Sequence, residues 1–263
     1  MIALPVFGGL AVFAAFGAPA HYAAINAGAF LLGLLGLHLL RLPKAVVAQK
    51  AVALVLLAIL ALPLITGPEL DGARRWLPVG PLTLNSGLLI APLLSVLAMR
   101  DRAWGWLALV AGTAIAALQV DAALALAFSL VALAWSYHWK DWKGLPSALL
   151  GVVAFITALR SGGPPPVLFG EGLVPMLWER SPWAAAGLVA LLFTTPMFLL
   201  RGSELSQRDG LVLALAFIAF TAISFLADYP VPLAGYGASS IIGFMLAIAA
   251  ARRQTTDEGR PEA

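Results

Sequence analysis

The sequence predicts an all-α, polytopic membrane protein of about ten transmembrane helices, and three observations carry that prediction. Of its 263 residues, 61% are hydrophobic and only 11% are charged, whereas a soluble domain needs roughly a quarter charged residues to keep its surface hydrated. Apolar runs of about 17 to 22 residues recur along the whole chain, each long enough to cross a hydrocarbon core ~30 Å thick. The few basic residues fall in the short connections between those runs.

In order, the predicted spans are 2–20, 22–40, 46–66, 82–99, 103–119, 121–138, 146–161, 183–200, 209–227 and 232–251. No Lys or Arg precedes the first run, so Ala18-Pro19-Ala20 is read as part of a retained helix despite its likeness to a signal-peptidase site. The second and third runs meet at Arg41, Lys44 and Lys50, and snorkelling accounts for Lys50. His38 lies at the same end of its run. A polar segment, Gly67 to Trp76, separates the third run from the fourth, and Arg100 and Arg102 separate the fourth from the fifth. Between the fifth and sixth there is only the turn Gln119-Val120-Asp121. The sixth ends in Trp135-Ser-Tyr-His-Trp-Lys-Asp-Trp-Lys143, a pattern expected of an interfacial anchor for anionic lipid headgroups. The longest connection runs from Arg160 to Trp183; prolines 164–166 stiffen it as polyproline II, and Phe169-Gly-Glu-Gly172 presents a carboxylate. The ninth run lies between Arg208 and Asp228, and Pro230 to Ser240 leads into the tenth. With no linker or composition shift, residues 1–263 form a single integral membrane domain with a cytoplasmic tail over about 252–263.

Counting Lys and Arg sets the expected orientation. Arg41, Lys44, Lys50, Arg100, Arg102, Lys140, Lys143, Arg201, Arg208, Arg252, Arg253 and Arg260 fall on one side, and only Arg74, Arg75, Arg160 and Arg180 on the other. The richer side is read as cytoplasmic, with both termini there, and the unusual polar chemistry lies outside. The net charge of +3 is therefore a matter of topology, not of nucleic-acid binding. With no cysteine and three dispersed histidines, disulfides, thiolate catalysis and a His-based zinc motif are excluded.

Three outer segments, taken together, resemble one family. Asp71-Gly-Ala-Arg-Arg-Trp76, followed by Val79-Gly-Pro-Leu-Thr-Leu-Asn-Ser86, is similar to the Asn-Gly-Ala-Arg-Arg-Trp segment of the SEDS family (shape, elongation, division and sporulation), the RodA/FtsW-type peptidoglycan polymerases. Leu118-Gln-Val-Asp121 resembles that family's Gln-Pro-Asp-Leu-Gly-Thr turn, and Pro230-Val-Pro-Leu-Ala-Gly-Tyr-Gly-Ala-Ser-Ser240 its Pro-Leu-Pro-Phe-x-Ser-Tyr-Gly-Gly-Ser-Ser segment. The three occur in the family's order and cover most of the chain.

The chain departs from the family as well. It is a pared-down version with shortened loops. Where the family carries Gln-Pro-Ser-Glu-x-x-Lys on the fourth helix, this chain has Leu84-Asn-Ser-Gly-Leu-Leu-Ile90, without the carboxylate or the amine. Val120, Ala123 and Leu124 replace the Pro and the Gly-Thr of the turn. The family's catalytic Asp precedes a Glu-Glu-Leu-Gly segment, and counting back similarly from Glu179-Arg180-Ser-Pro182 lands on Glu171, a methylene longer.

The resemblance implies a SEDS-like helix bundle in a bacterial cytoplasmic membrane. Its implied activity is glycosyl transfer outside that membrane, polymerising a lipid-linked disaccharide (lipid II-like) for cell-wall synthesis and cell shape. That chemistry needs a carboxylate to take the acceptor hydroxyl's proton, and positive charge, from arginine or a divalent cation (Mg or Mn), on the departing polyprenyl diphosphate. Glu171 is the expected catalytic residue, although read by itself it is an acid on a solvated loop. Arg74 and Arg75 are expected to bind substrate phosphate, with one of the two, not assigned to either, expected to pack at a helix end. Asp121 is either a helix cap or a substrate-binding acid, with Gln119 as its hydrogen-bonding companion. Trp76, Tyr236, Ser239 and Ser240 are expected to pack near the site. No organic cofactor is expected. The expected partners are the lipid-linked sugar precursor, membrane lipids and a single-pass class B penicillin-binding protein, with no nucleic acid. A catalytically inactive scaffold for a cell-wall partner and a transporter or binding protein for lipid-linked precursors are the alternatives. The transporter is the weaker, since no internal repeat is visible.

Overall fold

A computed structural model describes residues 2–43, 45–161, 165–202 and 204–258, with side chains as far as residue 252. The chain runs through helices α1 (Ala3–Phe16), α2 (Ala20–Leu39), α3 (Val46–Ala61) and the short α4 (Pro63–Thr66) into a hairpin of β1 (Trp76–Val79) and β2 (Leu82–Asn85). Helices α5 (Ser86–Arg100), α6 (Gly105–Leu118), α7 (Ala122–Trp139), α8 (Leu145–Arg160), α9 (Leu173–Arg180), α10 (Pro182–Arg201), α11 (Gln207–Leu226) and α12 (Ala238–Glu258) follow.

The protein is a multi-pass helical membrane protein. Among the described residues, six helical segments are long and apolar enough to cross a membrane: Ala20–Leu39, Val46–Thr66, Ala122–Trp139, Trp142–Arg160, Pro182–Arg201 and Gln207–Leu226. Four shorter apolar helices, Ala3–Phe16, Ser86–Arg100, Gly105–Leu118 and Ala238–Arg252, stand at the remaining expected spans. Helices α7 and α11 are central, with 61% and 67% of their spans buried, against 17% of α2. Leu and Val side chains on the outward faces, such as Leu31, Leu35, Val47 and Leu54, meet lipid instead of water.

Several expected boundaries move for local reasons. The predicted fourth span begins as strand: Gly80 adopts φ +58° and turns the chain at Gly80-Pro81, so that Val79 pairs with Leu82 and Trp76 with Asn85. Asn85 then caps α5 by accepting the Leu88 N–H at 2.9 Å, which explains a helix start at Ser86. The predicted tenth span begins six residues late, because residues 232–237 are turn and loop before α12. The long connection after Arg160 contains helix α9, so Glu179 and Arg180 are helical. Pro164 of the expected polyproline stretch lies outside the described residues, as do Lys44, Arg260 and the tail beyond 258; the Arg253 side chain is likewise outside the described side chains.

Ion pairs tie the basic end of the bundle. Arg100 of α5 meets Asp209 of α11 at 2.6 Å, both side chains being buried, and Lys50 meets Asp101 at 3.4 Å. The aromatic cluster at that end is only partly interfacial. Tyr137 and Trp142 are exposed, but Trp135 is fully buried and Trp139 donates its indole N–H to the Met99 carbonyl at 3.1 Å. Those two rings pack the ends of α5 and α7 instead of anchoring in headgroups.

Candidate functional site

At the other end of α5, a cleft of about 150 Å³ opens between the hairpin, the 167–171 turn and the segment from Pro230 to Ser240. The hairpin wall is a regular antiparallel ladder, while the other two are held by backbone hydrogen bonds outside regular structure. The N–H groups of Gly170 and Gly172 both donate to the Val167 carbonyl, at 2.9 and 3.0 Å, which curls the loop into a compact turn. Glu171 closes that turn by accepting the Val167 N–H at 3.1 Å, and its carboxylate lines the cleft. The Tyr236 N–H donates to the Phe169 carbonyl at 2.7 Å and joins this turn to the segment before α12.

Asn26 fastens that segment from below. Its amide donates to the Gly235 carbonyl at 2.9 Å and its side-chain oxygen accepts the Gly237 N–H at 3.1 Å. Asn26 is fully buried on a largely apolar helix, and a lone amide in a membrane span is the signal that could have singled it out. Sequence reasoning passed it over. It also passed over Asn85 and Tyr229 as site residues.

The expected packing residues occupy the cleft wall. Ser239 accepts the Asn85 N–H at 2.8 Å, and Ser240 accepts the Leu233 N–H at 3.0 Å. Tyr236 stacks on Tyr22 with centroids 3.7 Å apart and planes 13° from parallel. Trp76, on β1, lines the same cleft. The Asn85 amide nitrogen is buried beside the Tyr229 phenol, within its hydrogen-bonding reach, so it is not a free donor to the cleft.

The expected phosphate-binding arginines do not face Glu171. Arg74 is exposed and pairs with Glu69. Arg75 is buried, its guanidinium 4.7 Å from the Trp76 ring centroid and 5.0 Å from that of Tyr229. Arg75 and Tyr229 line a second cavity of about 220 Å³, together with Val120, Ala158 and Asp228. Among the described residues lining the Glu171 cleft there is no Lys or Arg. The arginine and the glutamate thus line different cavities, with Trp76 beside the arginine and in the wall of the Glu171 cleft.

Asp121 and Gln119 are both buried but are not hydrogen-bonded to each other. Val120 adopts φ +54°, and the turn sends the two side chains to different neighbours. Gln119 donates to the Leu60 carbonyl and, at 3.4 Å, to the Ser86 hydroxyl. Asp121 caps α7 through the Leu124 N–H at 3.0 Å and accepts from the Tyr229 hydroxyl at 3.3 Å. Burial, and then the Asp121 carboxylate beside it, push the Tyr229 phenol well above its ordinary range, so it stays a protonated donor. At Gly87, where the family has its fourth-helix Glu, a Cβ would lie 3.3 Å from both the Asn85 side-chain oxygen and an Asp121 carboxylate oxygen, a tight approach.

The donor set limits what a cation could find here. Glu171 is the only carboxylate among the described residues lining its cleft, and no three His, Cys, Asp or Glu side chains converge anywhere among the described residues. The residues present do not fit a protein-built cation cage.

No family model matches the sequence, and no curated protein matches it. Its structure, however, superposes on the rod-shape-determining protein RodA of Thermus thermophilus with a TM-score of 0.70 and 22% identity, over 99% of this chain and 96% of that one. The fold is that of RodA. An Asp-to-Ala variant of the same protein gives 0.71 at 22% identity, with the same coverage. A chain of a peptidoglycan synthase complex, described as coordinating polymerization and crosslinking, gives 0.65 at 18%, over 99% of this chain and 97% of that one. The RodA fold is the one that the three sequence segments had suggested.

Proposed function

We propose that the protein is a SEDS-type glycosyltransferase of a bacterial cytoplasmic membrane, extending a glycan from a lipid-linked, lipid II-like disaccharide at the outer face. In this reading all ten apolar helices cross the bilayer, the basic end faces the cytoplasm with both termini, and the Glu171 cleft faces outward. The observation that carries it is the position of Glu171, the sole carboxylate among the described residues of a cleft built from two of the three family-like segments, in a RodA fold.

In the proposed reaction an acceptor sugar hydroxyl attacks the anomeric carbon of the donor. The new C–O bond forms as the bond to the polyprenyl diphosphate breaks, and the hydroxyl proton passes to the Glu171 carboxylate. Arg75 holds the cleft wall through Trp76 instead of touching the diphosphate. By the likeness to a chain of a peptidoglycan synthase complex, the partner would be a single-pass class B penicillin-binding protein.

The deciding experiment is incubation of purified protein with fluorescent lipid II, with and without Mg or Mn, read as glycan ladders on a gel. Glu171→Gln retains an oxygen for the Val167 N–H but cannot take a proton. Ladders from wild type and none from the variant are expected. Undiminished ladders from the variant would remove Glu171 from the mechanism.

A second reading is favoured by the uncharged lining of the cleft. With no guanidinium or ammonium beside Glu171 among the described residues, and with Gly87 and Ile90 in place of the family's Glu and Lys, departure of a diphosphate has little support. The chain would then be an inactive scaffold. No ladder from folded wild type under any condition, with retained co-purification of the penicillin-binding protein, is its signature.

A further inference from the structure

The basic end of the bundle holds a second built site, far along α5 from Asn85. Helices α3 and α5 and the turn after α5 leave a cleft of about 390 Å³, lined by Gln49, Lys50, Arg100, Asp101, Arg102 and Trp104 among others. Three cations from these elements therefore converge on one cavity.

Arg100 is the decisive residue. Its side chain is only 8% exposed. Nε and Nη2 donate to the two oxygens of Asp209 at 3.3 and 2.6 Å, but Nη1 is buried with no hydrogen-bond partner among the described residues. A buried guanidinium nitrogen without an acceptor carries a desolvation cost that a ligand oxygen would remove. Asp101 cannot serve, because its carboxylate is committed elsewhere. One oxygen accepts the N–H groups of Ala103 and Trp104 at 2.8 and 3.0 Å, and the other faces Lys50 at 3.4 Å. Arg102 reaches no carboxylate closer than 3.9 Å among the described residues, the nearest being Asp141.

We propose that this cleft binds a phosphate group, with Arg100 Nη1 as the buried donor and Lys50 and Arg102 as the outer ones. Guanidinium and ammonium donors arranged around one concavity suit a group with several anionic oxygens. The phosphate arrives either on an anionic phospholipid of the adjacent leaflet or as a soluble ion.

The test uses the full-length protein in neutral detergent, titrated separately with phosphatidylglycerol, phosphatidylcholine and inorganic phosphate. Thermal unfolding is read for all three, and native mass spectrometry for retained lipid. Arg100 is left intact, since changing it would strand Asp209. Phosphatidylglycerol is expected to stabilise the protein with one lipid retained per chain, and phosphatidylcholine, whose phosphate charge is offset by its own trimethylammonium beside the cleft's cations, to do neither. Lys50→Gln and Arg102→Gln should each weaken that binding roughly fivefold. Lys140→Gln, an equal charge loss at the same end but outside the cleft, should leave it unchanged. Stabilisation by inorganic phosphate alone, with the same variant pattern, would support the site and identify its ligand as soluble. Equal weakening by Lys140→Gln, no effect of the two cleft variants, or no response to either anionic probe would overturn the proposal.

Discussion

The backbone N–H of Asn85 donates to the hydroxyl oxygen of Ser239 at 2.8 Å, joining positions 154 residues apart in sequence. That bond fastens the end of the hairpin to the first turn of α12, both of them walls of the Glu171 cleft. It is buried, so water cannot replace the acceptor. Ser239→Ala should destabilise the protein by about 1–3 kcal/mol, the cost of a stranded buried donor. Thermal unfolding of the detergent-solubilised variant checks this, and an unchanged midpoint would contradict it.

Asn26 makes two bonds to the segment before α12, at Gly235 and Gly237. Asn26→Leu keeps a similar volume but satisfies neither group. The same segment carries Tyr236, whose N–H holds the Glu171 turn. We predict faster proteolysis at the 167–172 turn in this variant, with the helices still folded, measured by limited digestion. Wild-type protection of that turn would show that Asn26 does not support it.

Arg75 lies between two aromatic rings and within electrostatic reach of Asp121. Removing it by Arg75→Leu loses cation–π contact worth about 0.5–2 kcal/mol and leaves the buried Asp121 carboxylate without a counter-charge. The loss should therefore be smaller in an Asp121→Asn background. A double-mutant cycle in unfolding free energy measures this, and additivity of the two changes would refute the coupling.

Gly243 sets how closely α12 approaches α5. A Cβ there would stand 2.3 Å from the Leu88 carbonyl oxygen and 2.7 Å from that of Leu89, and backbone atoms cannot rotate aside. Gly243→Ala should cost roughly 1–3 kcal/mol through forced separation of the two helices. It should also loosen the Asn85–Ser239 bond above, so faster amide exchange at Asn85 is the second expected readout.

For the catalytic proposal, Glu171→Asp restores the residue type the family uses but shortens the side chain by one methylene. It should retain a fraction of polymerase activity in the ladder assay where Glu171→Ala retains none. Equal loss in both would mean that reach, set by the 167–171 turn, is as important as the carboxylate itself.

Much of this was visible in the order of residues. Length and apolar composition determine that the chain crosses a bilayer, because a backbone in lipid must satisfy its own hydrogen bonds and only long apolar helices do so here. The three motif segments were enough to suggest the fold, and Asn85, Asp121 and Ser206 cap helices where short polar side chains precede apolar runs. What only the tertiary structure decided is which polar groups share a cavity. Arg75 and Trp76 are adjacent in sequence, yet the arginine stacks beneath the ring and lines a different cavity from Glu171. Gln119 and Asp121 are two residues apart, yet the left-handed turn at Val120 separates their partners. Asn26, Tyr229 and Ser239 meet the site across long stretches of chain, and no local pattern encodes such contacts. They are set by how the helices pack, where small residues allow close approach and each buried polar group must find its partner on another segment.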